Sequence, residues 1–486
     1  MSISRRKFLK NLGMSAMAFS VMPSTVLASQ PKNKTKVDAK TLFLDKRPAQ
    51  AERKFVSTII EQTIKDFNKT VKDQELQWLF SNCFPNTIDT TVFYEEKNGK
   101  PFTYVITGDI DAMWLRDSSA QVYPYVSFVS KDKKLDKMIQ GVINKHTECV
   151  HFDPYANAFN NAPVGSHWET DITDMKPELH ERKWEIDSLC YTIRLSYGYW
   201  KQTKNKEPFD DKWLEAQKII YRTFKEQQRK ENKGPYSFLR NGDRVEDSQP
   251  CHGYGNPINP VGLIVSAFRP SDDATILPFL VPSNFFAVVS LRQSAEMVEE
   301  IFNDKSFASD CRAMAKEVED ALYKYAVKKD EVSGDILAFE VDGFGNQMSM
   351  DDGNIPNLLS LPYLGAIDVN SKLYQNTRKH LLSERNPYYS KGAAGHGVGG
   401  PHIGREWIWP MGIISQAFTS QDDNEIKECV LQLLNTHAGT GFMHESFQKD
   451  DASKFTRSWF AWANTLLGEL LYKLSKEKPE LLNSIR

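Results

Sequence analysis

Neither sign of charge dominates this chain: 61 lysines and arginines stand against 63 aspartates and glutamates, a formal net charge of -2. That balance leaves no electrostatic footprint for nucleic acid or an anionic membrane. Cysteine is sparse, with six residues (Cys83, Cys149, Cys190, Cys251, Cys311, Cys429) and neither a CxxC pair nor a zinc-like spacing. A chain this long does not need disulfides, so the thiols are expected to be mostly free and buried. Absent too are HExxH, a GxSxG elbow and a phosphate-cradling glycine loop; the glycine-rich Gly395 to Gly400 follows no convincing strand. No regular alternation of strands and helices supports a Rossmann fold or a TIM barrel. Beyond the N-terminal region no segment approaches the twenty apolar residues of a membrane-crossing helix.

What is present begins at the N-terminus. Arg5 and Arg6 precede a weakly apolar run, Leu12 to Val21, and then Val26-Leu27-Ala28. This pattern predicts a twin-arginine export signal over residues 1–28, cleaved after a small residue, with a polar linker over 29–46 and one catalytic domain over 47–486. The expected location is exported, periplasmic and soluble, with no membrane attachment after signal removal.

Apolar residues then recur at helical spacing, as in Phe55 to Phe67, Leu135 to Val150, Leu189 to Trp200, Asn284 to Phe302 and Trp459 to Leu474. About a dozen helices are predicted, with strand-like pieces at Thr90 to Tyr94, Phe102 to Thr107 and Ile336 to Val341. An all-α toroid or bundle fits this pattern.

Several loops combine acids with aromatics, glycine and proline, a composition more often functional than connective. GDIDAMWLRDSSAQVYPY (Gly108 to Tyr125) carries Trp114, Arg116 and Asp117 ahead of a helix that Asp117 or Ser118 is placed to cap. SHWETDITDMKPELHERKWEIDSLCY (Ser166 to Tyr191) is dense in His, Trp and acids, yet His167, Glu169, Asp171 and Asp174 match no defined metal-ligand spacing. FRPSDD (Phe268 to Asp273), MDDGNIPNLLSLPYLG (Met350 to Gly365), GPHIGREWIWPMG (Gly400 to Gly412) and the stretch Thr436 to Asn464 repeat the formula, each read as preceding a helix. A sugar offers an apolar ring face and a fan of hydroxyls, and aromatic plus acid or arginine suits both.

If helices alternate between an inner and an outer ring, loops recurring at every second helix gather at one end and line one pocket. Glycoside hydrolysis there needs two carboxyl groups from different loops, one to protonate the leaving oxygen and one to activate water. Adjacent Asp272 and Asp273 cannot be that pair, because neither reaches the far side of the sugar from the other.

The strings DIDAMWLRDSSAQVYPY, KWEIDSLCY, FRPSDDA, MDDGNIPNLLSLPYLG and MHESF followed by KFTRSWFAWAN resemble glycoside hydrolase family 125 from about Gly108 to Asn464. The resemblance implies an (α/α)6 barrel and an exo-acting, inverting α-mannosidase on terminal α-1,6-linked mannose of oligosaccharides such as N-glycans, with no metal and no cofactor. It implies a general acid in FRPSDD, assigned to Asp272 with Asp273 as the alternative, and Glu445 of HES as general base. Trp114, Arg116, Asp117, His167, Trp168, Arg269, Asp273, Asp352, Asn357, His402, Trp407 and His444 are candidates for holding the terminal sugar. Where the family pattern has Trp-Ser-Gly ahead of FRPSDD, Val265-Ser266-Ala267 stands here, placing a change at a neighbouring subsite. The competing readings are another helical-toroid glycosidase, acting on glucose or uronic acids, and a non-catalytic exported glycan-binding protein.

Overall fold

The computed structural model describes residues Phe43–Arg486. The signal over 1–28 and most of the linker lie outside the described residues. Ahead of the expected boundary at residue 47, Phe43 packs on Trp78 and the Trp78 indole donates to Leu44 O at 2.7 Å.

Helices dominate: α1 (Thr58–Thr70), α2 (Gln74–Cys83), α3 (Asn86–Thr90), α4 (Leu115–Val122), α5 (Lys133–Phe152), α6 (Ile186–Thr203), α7 (Asp211–Gln227), α8 (Val281–Phe302), α9 (Lys305–Tyr325), α10 (Lys372–Leu381), α11 (Pro410–Phe418), α12 (Asp423–Thr436) and α13 (Ala461–Glu477). Two kinds alternate. α4, α6, α8, α11 and α13 are buried over nearly their whole circumference. α5, α7, α9 and α12 each keep an exposed polar face and bury one stripe, the pattern of an outer layer. The buried helices lie side by side, α4 on α6, α6 on α8, α11 on α13 and α13 on α4, while α9 covers α8 and α12 covers α11.

Connections alternate as well. Buried helices α8 and α11 lead to their outer neighbours by short links, Asn303–Asp304 between α8 and α9 and 419–422 between α11 and α12. Each outer helix returns through a long one: 153–185 before α6, 228–280 before α8 and 437–460 before α13. Short links are closed by capping; Asn303 takes a left-handed conformation and the Asp304 and Asp422 carboxylates accept amide bonds of the next helix.

The long connections are stitched by three-stranded antiparallel sheets. Met113–Trp114 pairs with Ala158–Phe159, which pairs with Leu179–Glu181; Glu340–Val341 lies between Phe279–Leu280 and Gln347–Met348; Ser446–Gln448 lies between Trp407–Ile408 and Asp451–Thr456. Each sheet thus holds the residues that enter a buried helix: α4, α8 and α11.

The structure corrects several sequence expectations. The first hairpin runs Val92–Lys97 with Lys100–Val105, and the predicted 336–341 strand divides into Gly334–Leu337 and Glu340–Val341. Helix α4 starts at Leu115 with Trp114 as its N-cap residue, so Asp117 and Ser118 sit inside it. The Ser118 hydroxyl donates back to Trp114 O, as serine does within a helix. The stretch after Asp351 and Asp352 folds into consecutive turns, because the Asp351 carboxylate takes the Leu358 and Leu359 amides, with proline at 356 and 362. All six cysteines are free; five are buried and Cys251 is exposed.

Candidate active site

Residues from the start of α4 and from the connections before α8, α11 and α13 converge on one cavity. Arg116 and Asp117 come from the first turn of α4, Asp272 from the connection before α8, His402 and Trp409 from that before α11, and Glu445 and Arg457 from that before α13. Trp114, Trp409, Phe460 and Trp462 supply its apolar wall.

Asp272 owes its position to a tight turn. Phe268 is fully buried and bridges to Ala274, Pro270 fixes one φ, and the Asp272 amide donates to Arg269 O at 2.9 Å. Asp272 has φ +68, a left-handed conformation that aspartate tolerates better than most side chains. Its carboxylate is partly exposed on the cavity wall, with Oδ1 3.5 Å from Arg116 Nη2. The Asp273 carboxylate points elsewhere and is buried, with Oδ1 2.9 Å from His402 Nδ1. Burial opposes charge on the His402 ring, but Asp273, helped by Asp272 and Glu445, carries its pKa above the ordinary histidine value.

Glu445 is held from both sides. Met443 N donates to Asn464 Oδ1 at 2.7 Å, His444 stacks on Phe455 with centroids 3.8 Å apart, and buried Ser446 starts a strand. Arg457 Nε lies 3.2 Å from Glu445 Oε1, and its Nη1 lies 2.5 Å from Asp109 Oδ1.

The inner end of the cavity is an ion cluster. Arg116 Nη1 reaches Glu185 at 2.6 Å and Asp187 at 3.3 Å, and Nε lies 3.4 Å from Asp117. Burial opposes the guanidinium charge, yet Glu185, Asp117, Asp187 and Asp272 hold its pKa well above the ordinary arginine value. Burial pushes Asp117 up to about 6 against the pull of Arg116, and it raises Glu185 and Asp187 too. One cation thus serves several carboxylates in a low-dielectric site, which disfavours ionising them all.

Six polar atoms on the cavity's residues are buried without a hydrogen-bond partner: Thr107 Oγ1, Trp114 Nε1, Arg116 Nε, Asp117 Oδ2, Asp272 Oδ1 and Trp409 Nε1, although Arg116 lies within ion-pair distance of both aspartates. Buried polar groups are otherwise nearly always paired. Donors and acceptors left open around one space are matched by a ligand rich in hydroxyls.

Of the residues singled out from sequence, Trp114, Arg116, Asp117, Asp272, His402 and Glu445 line the cavity. Others stand behind them. Arg269 donates from Nε to Glu340 Oε1 at 2.6 Å, so Glu340, and neither aspartate of FRPSDD, is its partner. Asp352 accepts the Ser271 hydroxyl at 2.8 Å, and Asn357 donates to Asp352 O at 2.7 Å. His444 meets Arg457 O at 3.1 Å. His167 and Trp168 sit outside the wall, with Trp168 beneath the Arg240 guanidinium at 3.6 Å. Trp407 lies in a strand off the cavity, and Trp409 takes the wall position because the chain turns into α11 there. Gly353 permits this: a Cβ on it would meet Trp409 Cβ at 2.4 Å. Val265, Ser266 and Ala267 are buried in the core, not at a subsite: Val265 O accepts the Trp184 indole at 2.7 Å. Asp171 pairs with Arg240, and among the described residues no group of three His, Cys, Asp or Glu side chains is gathered as a metal-ion set.

Sequence reasoning passed over Trp409, Phe460, Asn354 and Ser271, although all four lie in or beside the quoted strings. The usable signal was position: each precedes a buried helix or shares a turn with a candidate acid.

Carboxylates from different connections gathered at one end of a helical scaffold are the arrangement that acid–base hydrolysis of a glycosidic bond requires. The fold is shared with a bacterial glucoamylase complexed with acarbose, at TM-score 0.51 and 12% identity over 86% of this chain and 57% of that one. The family of metal-independent alpha-mannosidases, GH125, matches residues 73–472, and the chain belongs to it. A Streptococcus pneumoniae structure from a family of metal-independent α-mannosidases, solved as a non-productive complex with α-1,6-mannobiose, matches with TM-score 0.83 and 38% identity. It covers 88% of this chain and 100% of its own. The meiotically up-regulated gene 157 protein of Schizosaccharomyces pombe is 40% identical over 456 residues, 90% of this chain and 89% of that protein.

Proposed function

We propose that the protein is an exo-acting, inverting α-mannosidase that removes terminal α-1,6-linked mannose from oligosaccharides. One observation carries the reading: Asp272 and Glu445, from different loops, line one cavity with open polar groups around them. Asp272, as the acid, gives its proton to the glycosidic oxygen. Glu445, oriented by Arg457, takes a proton from the water that attacks the opposite face, the division of labour expected for inversion. Open groups on Trp114, Asp117, Thr107 and Trp409 take the sugar hydroxyls, and the tryptophan faces take its ring. The ion cluster behind Arg116 supports exo-action, since a space ending in buried charges accepts a chain end. The bound α-1,6-mannobiose of the S. pneumoniae relative supports the linkage.

The same reading takes the scaffold as an (α/α)6 barrel, with α4, α6, α8, α11 and α13 as inner helices and the turns of 357–366 in the sixth place. It takes Arg5-Arg6 and the apolar run after them as an export signal to the periplasm, which fractionation of cells expressing the full chain tests.

Proton NMR of the hydrolysis of methyl α-1,6-mannobioside, whose reducing end is locked as a glycoside so that the only free mannose comes from the cleaved bond, tests the reaction. β-Mannose is expected first, at a rate unchanged by chelator. First appearance of α-mannose overturns inversion, and loss of activity with chelator overturns metal independence.

A further inference from the structure

The Asp272 turn carries a strained conformation at a reactive residue, and strain persists only where surroundings impose it. Here the imposing group is an ammonium. Lys183 Nζ donates to the Asp272 main-chain oxygen at 2.8 Å. Its side chain is only 2% exposed, and its remaining charged partners are more distant, Glu181 and Asp247 each at 3.5 Å. The ammonium also lies 5.0 Å from the centroid of the Phe268 ring, the anchor of the same turn.

The residues around Lys183 fix it in place. Its amide donates to Asn157 Oδ1 at 3.0 Å. The next residue, Trp184, accepts the Ala267 and Phe268 amides at its carbonyl and donates its indole to Val265 O. The segment Lys183-Trp184 therefore runs along 265–272 and holds that strip from its first residue to its last. Burying an ammonium is costly unless it is paired, and a neutral side chain would fill this space at lower cost. Burial lowers the affinity of Lys183 for its proton, but Glu181 and Asp272 outweigh it, so the group stays charged.

We infer that Lys183 is a positioning residue for the general acid: by binding the Asp272 carbonyl it holds the left-handed turn that sends the Asp272 carboxyl into the cavity and the Asp273 carboxyl to His402. This rests on the reading of Asp272 as the acid. Removing the ammonium lets the turn relax to an ordinary φ, which withdraws the proton donor but leaves Glu445, Arg457 and the sugar-binding wall in place.

Leaving-group dependence separates this role from a general loss of structure. Hydrolysis of α-1,6-mannobiose requires protonation of a poor leaving group, whereas α-mannosyl fluoride departs without it. In the full-length enzyme, the ratio of kcat/KM on the fluoride to that on mannobiose is compared among wild type, D272N, K183M and K183Q. D272N and both lysine variants are expected to raise the ratio, the lysine variants by about a hundredfold, as general acid catalysis is lost. If D272N raises it and the folded lysine variants do not, the Lys183 inference is overturned and the acid assignment stands. If D272N leaves the ratio unchanged, the acid assignment fails and this inference with it. K183Q, which keeps a polar side chain of similar length, decides the matter if K183M does not fold.

Discussion

The carboxylate of Asp273 meets the His402 ring at 2.9 Å across 129 positions of sequence, while its neighbour Asp272 leaves Oδ1 without a hydrogen-bond partner on the cavity wall. Two adjacent acids therefore do unlike things. One is committed to fixing a histidine and the other is free to meet a ligand.

Amide substitutions should separate them. D272N is expected to lower mannobiose turnover by about 10²- to 10⁴-fold while sparing α-mannosyl fluoride. D273N loosens His402 without removing the proton donor, so both substrates should slow together, by roughly tenfold. Steady-state kinetics on the two substrates checks this; leaving-group sensitivity in D273N and not in D272N would reverse the assignment.

Glu445 should show the opposite signature. E445Q is expected to lose about a thousandfold on both substrates, because activation of water is needed whatever departs. Azide, a nucleophile that needs no base, should restore fluoride consumption and yield β-mannosyl azide, identifiable by NMR.

How far these roles were legible in sequence differs from residue to residue. Helical periodicity located α6, α8 and α13 because their apolar residues are dense and uninterrupted. It failed at Met350 to Gly365, where a side chain, Asp351, takes the amides that a helix would otherwise direct, a competition invisible to apolar spacing. The acids of the site stood out as adjacent pairs and in family strings. Which of Trp407 and Trp409 faces the cavity was not legible, because the direction of each ring depends on where the strand ends and α11 begins. Lys183 stands at the head of KWEIDSLCY, but its role was not legible there, since its partner is a main-chain oxygen, which any residue carries.

The unpartnered indoles give a binding prediction. W409F keeps an aromatic face and removes one donor, so mannose affinity measured by calorimetry in an E445Q background should fall about threefold to tenfold, the worth of one hydrogen bond. An unchanged affinity would mean that Trp409 Nε1 meets no hydroxyl of the sugar.

Burial also makes stability depend on pH. The Asp351 carboxyl is pushed by burial from its ordinary 3.8 to about 8, even though it accepts two main-chain amides. A group whose folded pKa exceeds its unfolded one contributes stability that is complete below the unfolded value and lost as pH rises through the folded value. Here that window runs from about 4 to about 8. The melting temperature should therefore fall as pH rises from about 5 to about 8 and lose this dependence above that, and D351N should show a shallower slope over the same range. A slope identical to wild type would show that Asp351 is ionised throughout.

The alternation of short and long connections also governs how such an enzyme can diverge. Asn303–Asp304 leaves no residue free to change without shifting α8 against α9, whereas 153–185 and 228–280 end in sheets that absorb variation locally. Variation is thus accommodated at the end that carries the cavity, while the packing of helix on helix is left undisturbed.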